Sequence, residues 1–172
     1  YGLTCVRWQP APMRRPDHHN EVELNLLESG WVTYLLGGRR VRIEAGRLSI
    51  FWAAIPHQII EFGTEAEYFV ATIPLAWFLQ YKLPENFVQS LLCGAVHSEP
   101  PSDHRRADRE RFTQWEEDLK DPRKETKDIV MLEMEARLLR LAAALPPGTR
   151  ARPLVLQDGG LNKVEQMACL IA

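Results

Sequence analysis

Three side chains stand out as able to do chemistry together: His19, Glu23 and His57. Asp17, His19 and Glu23 share strand parity, so an extended segment turns all three to one face, and Glu21 falls on that face too. His57 comes from a later segment. Imidazole and carboxylate groups converging from two strands form the donor set of a divalent metal. Zn²⁺ or Ni²⁺ would suit Asp17, His19, Glu23 and His57, with Asp17 as the fourth ligand. The same groups serve a sugar-like molecule, whose hydroxyls need donors and acceptors held on rigid elements. On that reading Glu21, Glu23 and His57 make polar contacts, and Trp31 and Trp52 offer flat faces to a ring. Either use gives a site at the same place. His18 has the opposite parity and should face outward, and His97 and His104 are expected on the surface of the helical side. Arg39, Arg40 and Arg42 read as a solvated hairpin face.

The elements that must position these groups are short strands. Glu21 to Leu27 alternates, with Val22, Leu24 and Leu26 on one face and Glu21, Glu23 and Asn25 on the other. After Ser29-Gly30 a second strand runs from Trp31 to Leu36, and Gly37-Gly38 supplies the positive φ of a two-residue hairpin. Strands follow at Arg39 to Glu44, Leu48 to Ala53, His57 to Phe62 and Glu67 to Ile73. Such spacing predicts a sandwich or barrel. Short helices are expected at Leu75 to Tyr81 and Glu85 to Leu92, with a returning strand at Ala95 to Ser98.

From Ser102 to Leu145 the pattern becomes helical. Phe112, Trp115 and Leu119 make a narrow stripe on a charged helix. Asp121-Pro122 suggests a capped restart. The second helix carries two apolar seams: Ile129, Leu132, Ala136, Leu139 and Ala143, and Met131, Met134, Leu138, Leu141 and Leu145. One seam suffices for packing on a single core, so the second predicts a homodimer interface; a wider internal helical core is the alternative. Pro146-Pro147-Gly148 ends the helix, Thr149 to Gly160 reads as a linker, and Val164, Met167, Ala168 and Ile171 restart helical periodicity.

Composition narrows the function. The 172 residues carry 21 Lys and Arg against 23 Asp and Glu, a net charge of −2. A domain living on phosphate contacts needs a basic surplus, so this part of the chain is not expected to bind DNA by itself. No apolar run is long enough for a membrane span, and Tyr1 to Pro10 lacks a signal-peptide layout. Cys5, Cys93 and Cys169 are scattered and odd in number, which suits a reducing, cytoplasmic setting.

Motif spacing adds a resemblance. His19-x3-Glu23-x6-Gly30 is similar to part of the first cupin motif, and Gly46-x5-Trp52-x-Ala54-x2-His57-x3-Glu61 keeps the spacing of the second. Asp17 stands where the first histidine of the cupin pair belongs, and Trp52, Ala54 and Glu61 replace the usual Pro, Gly and Asn. Further, His18 to Leu27 and Phe51 to Gln58 resemble the sensor domains of AraC-type transcription regulators. The resemblance implies a mostly β protein with an α appendage: a cupin (double-stranded β-helix) barrel over 1–100, then an antiparallel helical pair for dimerisation over 101–148. It implies that 149–172 is a linker and the start of a helix-turn-helix DNA-binding domain, through which DNA would be reached. The implied function is effector sensing, with a sugar or similar polar small molecule in the barrel and Arg7 and Trp8 in a Pro-rich arm closing over it. The chain would then be no enzyme, the alternative being a metal-dependent cupin oxygenase, isomerase or epimerase.

Overall fold

The computed structural model describes residues 2–101 and 104–146. The linker and helix restart expected beyond Pro146 lie outside the described residues. Eight strands form two antiparallel sheets. The larger has the order β1 (Thr4–Trp8), β7 (Glu67–Pro74), β2 (Glu21–Ser29), β5 (Leu48–Trp52) and β8 (His97–Ser98). The smaller is ordered β4 (Arg39–Glu44), β3 (Trp31–Leu36) and β6 (His57–Phe62). The mostly β architecture with α elements after the barrel is the one the sequence implies. The β3–β4 hairpin turns on Gly37 and Gly38, whose φ values of 54° and 81° are those of a turn that matches strand twist.

Strand register decides which residues look into the barrel, because directly paired residues share a face. In the large sheet Glu23 lies between Phe51 and Thr72, and Asn25 between Ser49 and Val70. These face the small sheet, which contributes Tyr34 and Ile59 to the interior. The opposite face of the large sheet carries Val22, Leu24, Trp52, Phe69 and Ala71, all almost fully buried.

Helices cover that second face. α1 (Leu75–Phe78) and α2 (Glu85–Leu92) follow β7, and α3 (Arg105–Asp118) and α4 (Lys124–Ala144) follow β8. Phe112 of α3 meets Phe69 at 5.8 Å between ring centroids and Trp115 at 4.7 Å. Each such side chain contributes about 1.5–3 kcal/mol by leaving water. α3 and α4 run antiparallel, since Trp115 donates to Glu133 while Asp108, two turns earlier, meets Arg137.

Several local expectations need correction. Thr4–Trp8 is a strand paired with β7, so Arg7 and Trp8 belong to the barrel rather than to a loose arm. α1 is a single turn, ending at Phe78 rather than Tyr81, and β8 covers only His97–Ser98. α4 starts at Lys124, because the Asp121 carboxylate accepts from the Arg123 N–H and guanidinium and closes a turn before the helix.

Candidate functional site

The barrel holds a cavity of about 310 Å³ that opens to solvent. Its polar end is built by β2, β6 and the segment entering β2. The backbone of Asp17 pairs reciprocally with His57, at 2.8 and 2.9 Å, and the His19 N–H donates to the Ala53 carbonyl at 3.0 Å. These bonds bring two segments forty residues apart into one corner. The cavity wall is completed by Thr4, Val6 and Trp8 from β1, Tyr68, Val70 and Thr72 from β7, and Tyr34 and Ile59 from the small sheet. Ala11, Pro12 and Met13 cross from the β1 edge to the β6 edge. Gln58 Nε2 donates to the Met13 carbonyl at 2.6 Å, and the Ile59 N–H meets Met13 Sδ at 3.2 Å.

His19, Glu23 and His57 form a cluster whose ligand-capable atoms all lie within 4.8 Å of one another. His57 donates through Nδ1 to the Ile55 carbonyl at 3.1 Å, and His19 Nδ1 meets Glu21 Oε2 at 2.9 Å. With Nδ1 so engaged, each ring turns Nε2 towards Glu23 Oε2, at 3.5 Å from His19 and 3.9 Å from His57. Two imidazole lone pairs and a carboxylate facing one another call for positive charge between them. A proton on His19 supplies some of it. Burial lowers the pKa of this imidazole, but hydrogen bonds and charge from Glu23 and Glu21 outweigh burial and raise it above the ordinary value. A divalent ion supplies the charge equally well. Donors at roughly 2 Å from one Zn²⁺ sit roughly 3.3 Å apart, and outer-shell partners on both Nδ1 atoms are what metal-binding imidazoles require. His19, Glu23 and His57 therefore fit a metal. The cluster does not include Asp17, whose Oδ1 instead accepts from the His18 N–H at 2.9 Å.

Above the cluster the interior is phenolic and neutral. Tyr34 is held protonated by burial, then by the Glu23 charge and Tyr68, and its pKa is raised well above normal. Burial pushes Tyr68 up to about 12 despite its hydrogen bond with Tyr34. Among the described residues, the cavity lining contains no Lys or Arg.

The structure brings together His19, Glu23, His57 and Trp8, with Glu21 behind His19 and Asp17 at the rim. It does not bring in Trp52 or Trp31, the other two tryptophans expected at the site. Trp52 pairs with Val22 and lies on the helix-covered face, 1% exposed, so it is a core residue rather than a ring platform. The barrel-facing residue here is Phe51, one residue earlier, which packs behind the cavity lining with its ring 5.3 Å from that of His57. Trp31 is on the outer face of the small sheet under the Arg42 guanidinium, 4.1 Å from its ring. His97 is buried rather than on the surface, stacked on Phe87 and hydrogen-bonded to Ser90 Oγ at 2.6 Å. Tyr34, Tyr68 and Met13 escaped the sequence reading. Tyr34 and Tyr68 sit in strands where an aromatic residue ordinarily signals core.

A double-sheet barrel with an internal cavity and a polar cluster at one end is the architecture of a small-molecule-binding domain. The AraC-like ligand binding domain family matches residues 1–142, and the chain belongs to that family, the ligand-binding part of AraC-type transcription regulators. The melibiose operon regulatory protein of Escherichia coli (strain K12) is 26% identical over 139 residues, covering 77% of this chain and 43% of that protein. The chain thus spans less than half the length of this relative. Among solved structures, the AraC-like transcriptional activator CuxR superposes with a TM-score of 0.54 at 15% identity, over 88% of this chain and 50% of that one. ToxT from Vibrio cholerae O395, bound to (E)-4-(8-methylnaphthalen-1-yl)but-3-enoic acid, gives 0.55 at 10% identity, over 99% and 65%. At these identities the structural likeness establishes the fold. Among the described residues no helix is long and apolar enough to cross a membrane.

Proposed function

We propose that this domain senses an uncharged, hydroxyl-rich effector, sugar-like in chemistry, inside the barrel, and that it acts as a homodimer within a regulator whose other part contacts DNA. The observation that carries the reading is the cavity itself. Carboxylate, imidazole and phenol groups converge at one end, with Trp8 and apolar side chains along the walls. ToxT was solved with a carboxylic acid bound. Here the same kind of ligand would meet Glu23 and Asp17 with no Lys or Arg on the lining. The likeness to the melibiose operon regulator supports a sugar. Dimerisation is supported by α4: Met134, Leu138 and Leu141 are fully buried against the domain, whereas Ile129 and Leu132 are 51% and 65% exposed on the other seam.

A divalent ion is a compatible second component, favoured by the convergence of both Nε2 atoms on Glu23. His19, Glu23 and His57 would hold it, and it would offer open positions to effector oxygens or act as a Lewis acid. Elemental analysis of the purified chain should then find Zn or Ni near one equivalent, lost in His57→Ala. Calorimetric titration with neutral mono- and disaccharides tests the effector reading. One-site binding that His57→Ala abolishes is expected. Binding unaffected by that substitution would place the effector elsewhere.

A further inference from the structure

We propose that Asn25 is a positioning residue of the cavity: its amide locks the Glu23 carboxylate so that one oxygen is held back and the other is presented to His19, His57 and whatever binds between them. The inference rests on the reading of this cluster as the ligand site. Asn25 is fully buried on the same face of β2 as Glu23. Its Nδ2 donates to Glu23 Oε1 at 3.0 Å, and its Oδ1 accepts from the Tyr34 hydroxyl at 3.1 Å. Glu23 Oε1 is thereby taken, while Oε2 is the oxygen that faces both imidazoles.

The chemistry of the position is specific. It needs a donor towards a carboxylate and an acceptor towards a phenol; an amide carries the two on separate atoms in one plane, whereas a serine or threonine hydroxyl carries both on a single, shorter-reaching oxygen. Aspartate would set a second carboxylate against Glu23, and an apolar residue would leave Glu23 Oε1 and the Tyr34 hydroxyl without this partner inside the barrel. Tyr34 comes from β3 in the opposite sheet, so the chain Glu23–Asn25–Tyr34 spans the barrel and ties the carboxylate's rotation to the separation of the sheets. Free to turn about its last torsion, the Glu23 carboxylate would hold neither oxygen at a fixed angle to the two imidazoles, and the cluster would lose its geometry.

Cobalt(II) titration of the parent chain, Asn25→Ser and Tyr34→Phe, followed by the visible absorption of the ion, tests this, together with ¹⁵N shifts of the His19 and His57 rings in metal-free protein. Outer-shell losses of this kind weaken metal affinity about 10- to 100-fold, and that range is expected for Asn25→Ser, with a smaller loss for Tyr34→Phe. Displaced ring shifts should accompany both. Folding is checked by circular dichroism, and if Asn25→Ser does not fold, Tyr34→Phe decides. Parent-like affinity, spectrum and ring shifts in the folded variants would overturn the proposal. If the parent takes up no cobalt, the metal reading falls. The ring shifts then decide by themselves: displaced, they support Asn25 as the positioning residue; unchanged, they refute it.

Discussion

Two buried charged clusters occupy opposite sides of the large sheet, and they are built on different logic. On the helical side Arg137 of α4, 2% exposed, donates through Nε and Nη2 to Asp108 of α3 at 2.7 Å each and through Nη2 to Glu99 at 2.6 Å. Arg111 adds a bond to Asp108 at 2.9 Å. Two cations and two carboxylates close on one another, and the result pins both long helices to the end of β8. On the barrel side, acceptors converge around a cavity and the balancing charge is incomplete. A closed set of opposite charges holds a structure together; an open set of like-polarity groups facing a cavity is poised for a ligand.

The contrast is sharpest at Arg137. Removing one member of a buried ion network leaves its partners charged and unpaired, at a cost of about 3–5 kcal/mol. Arg137→Met should therefore lower the denaturation midpoint steeply without touching the cavity residues. If chemical denaturation shows a loss below about 1 kcal/mol, the network is better solvated than its burial implies. Next in size is the exposed seam of α4. Leu132→Glu should weaken self-association by about 2 kcal/mol, roughly 30-fold in Kd, as read by sedimentation equilibrium. An unchanged mass distribution would contradict the proposed dimer interface on this helix. Trp52→Phe should cost about 1–2 kcal/mol of stability through the space it leaves while effector affinity stays constant, which separates the core tryptophan from the cavity.

The smallest expected effect concerns His97. Burial lowers its pKa below 6.5. A lowered value means that the unfolded chain binds the proton more readily. The stability due to neutral His97 is therefore full above pH 6.5 and is lost as pH falls below it. The stability difference between the parent and His97→Gln should shrink between pH 7 and pH 5. A difference independent of pH would show that His97 keeps its ordinary pKa in the folded chain.

Much of the barrel was legible in the sequence because its signals are local. Alternation over Glu21 to Leu27 and the Gly37-Gly38 pair each specify a strand or turn within a few residues, and β3, β4, β6 and α2 fall within the limits read from the sequence. The core of the site was legible for the same reason, as parity places His19 and Glu23 on one face. What escaped depended on register between strands. Trp52 and Phe51 are neighbours, and only pairing with Glu23 rather than Val22 decides which one enters the barrel. β1 escaped because its five residues lack clean alternation, and its identity comes from β7 alongside it. The Arg137 cluster joins α3, α4 and the residue after β8, a convergence that no local pattern encodes.

The central claim is that the effector sits in the barrel, against the His19–Glu23–His57 cluster. Nuclear magnetic resonance on the chain with labelled aromatic and histidine side chains, titrated with the neutral sugars, tests it most directly. The account predicts that one sugar will shift Trp8, Tyr34, Tyr68 and His57 together while Trp115 of α3 stays fixed. Shifts confined to the helical side, or no shift at the cavity residues with any sugar that binds, would contradict it.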